Sequence, residues 1–220
     1  LYADVSLTSG TDKLSNYVTG SYYRTDNTVK GDSQQRFSFR TRNTYDFTKW
    51  LKVNAQFSAS YNDNDLFPLY RGYLETLPIL EPYLSDGSFR LYNKVYDSAT
   101  GGWTMQKFTK NEVPDREANT NRQRSVVTSA NFSAEVKIID GLKFTAQYAI
   151  DYTHSHEDIY YSRMTLDGMD SAGNPKGSSR RADASYMNWT NVERLNFDRK
   201  FADRHSVSAY AGIELRQVKY

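Results

Sequence analysis

The stretch "LKVNAQFSASY", Leu51 to Tyr61, alternates apolar and polar residues almost without error. Leu51, Val53, Ala55, Phe57, Ala59 and Tyr61 share one parity; Lys52, Asn54, Gln56, Ser58 and Ser60 share the other. Period two over this length specifies a β-strand lying between two different surroundings. The apolar side faces either a protein core or lipid. Which of the two it faces decides the fold.

The same period recurs on both sides of that stretch. Ala3, Val5 and Leu7 oppose Asp4, Ser6 and Thr8, and Leu14, Val18 and Tyr22 continue after "GTDK". Phe37, Phe39, Tyr45 and Phe47 oppose Arg36, Arg40, Arg42 and Asp46. Further on come Val126, Ala130, Phe132, Ala134, Val136 and Ile138, then Leu142, Phe144, Ala146, Tyr148, Ile150 and Tyr152. Met187, Trp189, Leu195 and Phe197 follow less cleanly, and Val207, Ala209, Ala211, Ile213 and Leu215 close the series. Eight strands are expected, with no comparable helical period apart from an ambiguous piece near "YRGYLETL".

The connections alternate as well. Short ones fall around 10–13, 48–50, 140–141 and 201–204, and long ones around 26–33, 62–121 and 154–184. All long loops therefore gather at one end, as in outer-membrane barrels with tight periplasmic turns and extended extracellular loops. A soluble sandwich has no reason for that order. The apolar parity also mixes small Ala with Phe and Tyr, and places Tyr45, Tyr61 and Tyr152 at strand ends, like an aromatic girdle. Pattern alone favours a membrane barrel over a sandwich. In that reading Val53, Phe57, Phe132, Val136, Phe144 and Tyr148 face lipid, and Arg36, Arg40, Arg42 and Lys52 face the lumen.

Composition fits. The mean hydropathy of -0.75 is low, and no apolar run reaches the ~18 residues of a transmembrane helix. A spanning strand needs only about 9–11 residues, every second one apolar. With 28 basic and 26 acidic residues the net charge is +2, which points to no nucleic-acid partner. The 18 Tyr, 11 Phe and 3 Trp suit strands and membrane–water interfaces. Cysteine is absent, so thiol chemistry is excluded. The chain opens at Leu1 inside an apparent strand, without initiator Met or signal peptide, as a processed or partial chain would.

Several stretches, read in order, resemble the SusC/RagA family of TonB-dependent outer-membrane transporters. They are the "GTDK" turn, the "YVTGSYY" strand, the "VKGD" loop, the Arg-rich strand, "WLKV" and "FSASYN". "LPILEPYLSDGSF", "NFSAEVKIIDGLKFTAQYAIDY" and "NVERLNFDRKFADRHSVSAYAGIE" continue the likeness, which covers about Val5 to Leu215. The resemblance implies an all-β fold, an antiparallel transmembrane β-barrel segment of about eight strands from a barrel of roughly 22. Residues 1–220 would then be one partial barrel domain, lacking the plug, with a long outer loop at about 62–121. It also implies an outer-membrane location in a Gram-negative bacterium and no enzymatic activity. The implied partners are a SusD-like surface lipoprotein, the TonB complex acting through the absent plug, and membrane lipid with lipopolysaccharide. The implied cargo is a nutrient oligosaccharide or oligopeptide. A self-contained eight-stranded barrel and a soluble β-sandwich carbohydrate-binding module are the rival readings.

No catalytic constellation emerges, and no paired acid–base signature supports a hydrolase. His154, His156 and Asp158 fall on one side of an extended segment, with no Cys or third His nearby to complete a metal site. Asn62, Asp63, Asn64 and Asp65 offer oxygen ligands for calcium but lack the spaced glycine and distal Glu; a polar strand exit is the plainer reading, and no cofactor is expected. The long loop carries the binding expectation. Tyr70, Tyr73, Tyr83, Tyr92, Tyr96 and Trp103 could stack on sugar rings or hold peptide side chains, and Arg71, Arg90 and Lys94 could take acidic groups.

Overall fold

The computed structural model describes residues 1–28, 31–66, 79–108, 111–202 and 205–220. Tyr70, Arg71, Tyr73 and the "YRGYLETL" piece lie outside them. Among the described residues, ten strands and one short helix follow in chain order. They are β1 (Tyr2–Gly10), β2 (Leu14–Asp26), β3 (Ser33–Asp46), β4 (Leu51–Asp65), β5 (Tyr92–Asp97) and β6 (Gly102–Lys107), then α1 (Val113–Ala118), β7 (Thr120–Ile139), β8 (Leu142–Tyr161), β9 (Ser178–Phe201) and β10 (His205–Lys219). Eight of them form a single antiparallel sheet in the order β1-β2-β3-β4-β7-β8-β9-β10. The eight alternating stretches are those eight strands.

Register fixes the two faces. Ala55 lies opposite Phe132 and Phe57 opposite Ala130 across β4 and β7, while Phe132 lies opposite Tyr148 across β7 and β8. Because paired residues point the same way, Val53, Phe57, Phe132, Val136, Phe144 and Tyr148 share one face. Arg36, Arg40, Arg42 and Lys52 share the other, opposite Asn62, Ser58, Gln56 and Asp46. Phe57 and Phe132 sit side by side on one sheet rather than meeting across two, and both are exposed, at 38% and 51%. The sandwich reading fails on that placement.

The short turns have identifiable locks. Thr11 and Thr48 each accept the backbone N–H three residues on, from Leu14 at 3.2 Å and Leu51 at 3.1 Å. At Gly141 the backbone has φ +85°, and an added Cβ would lie 2.7 Å from the Asp198 carbonyl oxygen, so only glycine fits. Ile138 proves irregular: the pairing slips between Lys137 and Ile139, so that Ile139, not Ile138, faces Leu142.

The long loops differ from the expected limits. Strands persist to Asp65 and from Thr120, and β8 and β9 run to Tyr161 and from Ser178. Those ends lose apolar alternation but keep the ladder through polar pairs. Inside the first long loop stand β5 and β6, a hairpin separate from the main sheet, which alternation did not announce.

Candidate functional site

Three arrangements carry polar or aromatic chemistry. The first is the polar face. Arg42 donates from Nε and Nη2 to Gln56 Oε1 at 3.2 and 3.0 Å, and Thr44 donates to Asn54 at 2.8 Å, which in turn donates to Ser133 at 3.3 Å. Arg36 stacks over Tyr23 at 5.7 Å, Lys52 pairs with Asp46 at 3.9 Å, and Lys143 pairs with Glu135 at 3.0 Å. These cross-strand bonds tie neighbouring strands together along a surface rich in hydroxyls and amides. A hollow of about 490 Å³ opens on it between Tyr2, Asp4, Tyr17, Arg36 and Arg40.

The second arrangement lies on the opposite face, where the long loops leave the sheet. The apolar parity of β4, β7, β8 and β9 turns charged there: Asp63 and Asp65, Arg122 and Arg124, His156 and Asp158, Arg181 and Asp183. Arg122 grips Asp63 bidentately, with Nε to Oδ1 at 2.8 Å, and holds that carboxyl below its usual value. Arg181 donates to Asp158 at 2.8 Å and Arg124 at 2.5 Å; Arg181 foremost brings the Asp158 carboxyl down to about 2. His156 sits between Asp183, 2.6 Å from Nδ1, and Asp158, 2.9 Å from Nε2. Both partners only accept, so the ring is favoured with both nitrogens protonated, and Asp183 foremost raises its pKa. His154 approaches the same Asp183 at 3.8 Å. The His154, His156 and Asp158 grouping is thus an ion-pair ladder. Asn62 and Asn64 point to one face and Asp63 and Asp65 to the other, so those four do not converge.

The third arrangement is where the two longest loops meet. The described residues that are buried gather here, including Phe108, Asn111, Glu112, Pro114, Ser162 and Thr165. Asn119, just past α1, accepts at Oδ1 from the Ser162 N–H at 2.8 Å and from Thr165 Oγ1 at 3.1 Å. Asn111 donates to the carbonyls of Pro82 and Arg90, both at 2.8 Å. Burial raises the Glu112 carboxyl to about 7, with Asp115 adding to it. Burial also lifts Asp115 to about 6, helped by the charge of Asp167 from the second loop. The β5–β6 hairpin stands on this junction through Tyr92, whose hydroxyl lies 3.4 Å from Met169 Sδ. Its tip pairs Tyr96 with Trp103 edge-on, 5.4 Å between centroids, and Lys94 lies 5.7 Å over the Trp103 ring. Trp103 remains 63% exposed.

Of the loop residues singled out in the sequence, Tyr92, Tyr96 and Trp103 thus come together on one hairpin face, with Tyr92 at its base. Tyr83 stands apart, donating to Glu117 at 2.8 Å, and Arg90 pairs with Glu81 at 3.3 Å. Asn119, Asp183 and the ladder arginines escaped the sequence reading, which considered Asp63, Asp65 and Asp158 only as metal ligands. The ladder has a signal: the period of two continues past Tyr61 and Tyr152 with charges in place of apolar residues. Asn119 has none.

No family model matches the sequence. Among curated proteins, three TonB-dependent receptors of Formosa agariphila align along nearly the whole chain. One is 24% identical over 232 residues, covering 98% of this chain and 21% of the receptor. The others are 23% and 20% identical, covering 98% and 99% of this chain and 21% and 20% of theirs. The chain therefore spans about a fifth of the length of these relatives. Among solved structures, the RagAB peptide importer in its closed-closed state superposes with a TM-score of 0.72 at 18% identity, over 100% of this chain and 25% of that one. The RagAB peptide transporter gives 0.74 at 18%, over 99% and 24%. These relatives are receptors and importers, not enzymes. From end to end, then, the chain is similar to a segment of a TonB-dependent receptor, and its open antiparallel sheet has the fold of part of the RagAB barrel.

Proposed function

We propose that this chain is part of the wall of an outer-membrane barrel through which a nutrient oligomer, oligosaccharide or oligopeptide, is imported by a TonB-dependent mechanism. The observation that carries the reading is the pairing of whole-length likeness to TonB-dependent receptors with a single sheet whose apolar face is exposed. A row such as Phe39, Phe57, Phe132 and Tyr148 in water would be a large apolar patch of a kind that soluble proteins cover. Lipid is the surrounding that suits it. The polar face then lines the lumen or meets the plug. The ion-pair ladder sits beyond Tyr61 and Tyr152, at the level of lipopolysaccharide headgroups. The Tyr96–Trp103 hairpin stands at the outer mouth, where a substrate or a SusD-like lipoprotein would arrive.

In this mechanism the chain performs no bond chemistry. Its wall withstands the membrane, its hydroxyl and amide face passes a hydrated cargo, and energy enters through a plug outside these residues. The test uses single cysteines placed in a segment that has none of its own. With Phe57→Cys or Ser58→Cys introduced singly into the full-length protein, a water-soluble maleimide applied to whole cells and to opened membranes should label position 58. Position 57 should stay unlabelled until the membrane is dissolved. Equal labelling at both positions overturns the assignment of faces and the transport reading with it.

A further inference from the structure

The hollow of about 490 Å³ on the polar face is lined mostly by β2, β3 and β4, strands paired on both sides; β1 adds only Tyr2 and Asp4. Ser33 opens the 14-residue β3 at its long-loop end, and Arg36 and Arg40 lie from there to its middle. The hollow therefore occupies the half of the wall nearer the long loops. At a rise of about 3.3 Å per residue the two arginines stand roughly 13 Å apart along the strand, with Ser38 between them on the same face.

Both arginines are exposed, and among the described residues neither forms an ion pair or a side-chain hydrogen bond. Arg36 lies 5.7 Å over the Tyr23 ring. On the same face Arg42, Lys52, Lys143 and Arg216 are held by Gln56, Asp46, Glu135 and Asn188. Asp4 is the one carboxylate among the described lining residues, and it pairs with neither arginine. The hollow thus carries two positive charges against one negative. A guanidinium stays charged at any physiological pH, and its planar fork of N–H donors matches a carboxylate. Thr19 and Ser58, the register neighbours of Arg40, add hydroxyls that can donate to the same group. The volume is that of a small-ligand site. Carboxylate is also the acid common to both cargo classes, as Asp and Glu side chains in an oligopeptide and as uronic-acid units in an oligosaccharide.

We propose that the Arg36–Arg40 hollow is a subsite on the lumen wall that takes a carboxylate of the passing cargo, so that acidic oligomers are favoured. The inference rests on the barrel-wall reading, which makes this face the lumen.

The experiment measures binding to the full-length protein, purified in detergent, by titration calorimetry with two matched pairs of probes. One pair is a glutamate-rich oligopeptide and its glutamine counterpart; the other is an oligogalacturonate and its methyl ester. The acid should bind more tightly than its neutral counterpart in at least one pair, and which pair does so tells a peptide carboxylate from a glycan one. Arg36→Gln and Arg40→Gln together should weaken that acid roughly tenfold or more and leave the neutral counterpart unchanged. Arg40→Lys should keep part of the preference. Barrel folding in each variant is checked by resistance of the unboiled protein to unfolding in detergent. No acid preference in either pair, or a preference that survives the double substitution, overturns the subsite. Equal loss of acid and neutral binding, with a lowered melting temperature of the unliganded protein, overturns it too, because the arginines would then hold a carboxylate of the plug. Failure of the underlying reading shows separately, as water-soluble labelling of the Phe57→Cys protein.

Discussion

Phe57 and Ser58 are adjacent in the chain and point to opposite faces of one sheet. In a barrel wall, Phe57→Arg or Ala146→Arg puts a guanidinium into the lipid band and should destabilise the protein by about 2–4 kcal/mol near the midplane. Ser58→Arg adds the same charge beside polar neighbours and should cost far less. Urea unfolding in detergent or lipid measures both, and equal losses would contradict the difference between faces. His156 gives a second residue-scale prediction. Its pKa is raised in the fold, foremost by Asp183, so the stabilisation is full below the ordinary 6.5 and is lost as pH rises through the raised value. Hydrogen exchange at the upper ends of β8 and β9, corrected for intrinsic rate, should quicken above pH 6.5. In His156→Leu that pH dependence should vanish.

At the scale of elements, the loops rather than the strands hold the enclosed core. Asn119 accepts from the Ser162 N–H and from the Thr165 hydroxyl, which also reaches the Ser162 carbonyl at 2.8 Å, so Asn119→Ala leaves the Ser162 N–H without that acceptor, at a cost of about 1–3 kcal/mol. Limited proteolysis should then cut within 162–177 sooner while the eight-stranded sheet stays resistant. Gly168 makes the junction tight as well, because an added Cβ would meet the Ser162 carbonyl oxygen. Gly168→Ala should loosen the same loop, and Gly141→Ala should instead weaken the β7–β8 turn. These elements were unevenly legible in the sequence. The hairpin β5–β6 hides in a stretch without strict alternation, since it packs through Tyr92 and Met169 rather than through a repeated face. The loop limits at 62 and 121 were too wide, because cross-strand ion pairs such as Arg122–Asp63 extend a ladder that hydrophobicity no longer marks.

At the scale of the molecule, the sheet has β1 and β10 as its outer strands, each paired on one side only. A polypeptide of these 220 residues alone would expose both edges and the apolar face. It should therefore associate rather than give a monomeric barrel. Size-exclusion chromatography in detergent checks this, and a monodisperse monomer resistant to unfolding without boiling would indicate self-closure instead. What the sequence determined by itself is the identity of the eight strands of the main sheet and, Ile138 apart, which residue belongs to which face. A period of two is a local property: each peptide turns its side chain opposite to the last, whatever the strand meets. The tertiary structure decided what alternation cannot encode. It set Phe57 and Phe132 beside each other on one sheet and joined two loops through Asn119. It also carried Asp63, Arg122, Asp158 and Arg181, far apart in the chain, into one ladder. Those outcomes depend on register between distant strands, and register is fixed only when all the strands pair together.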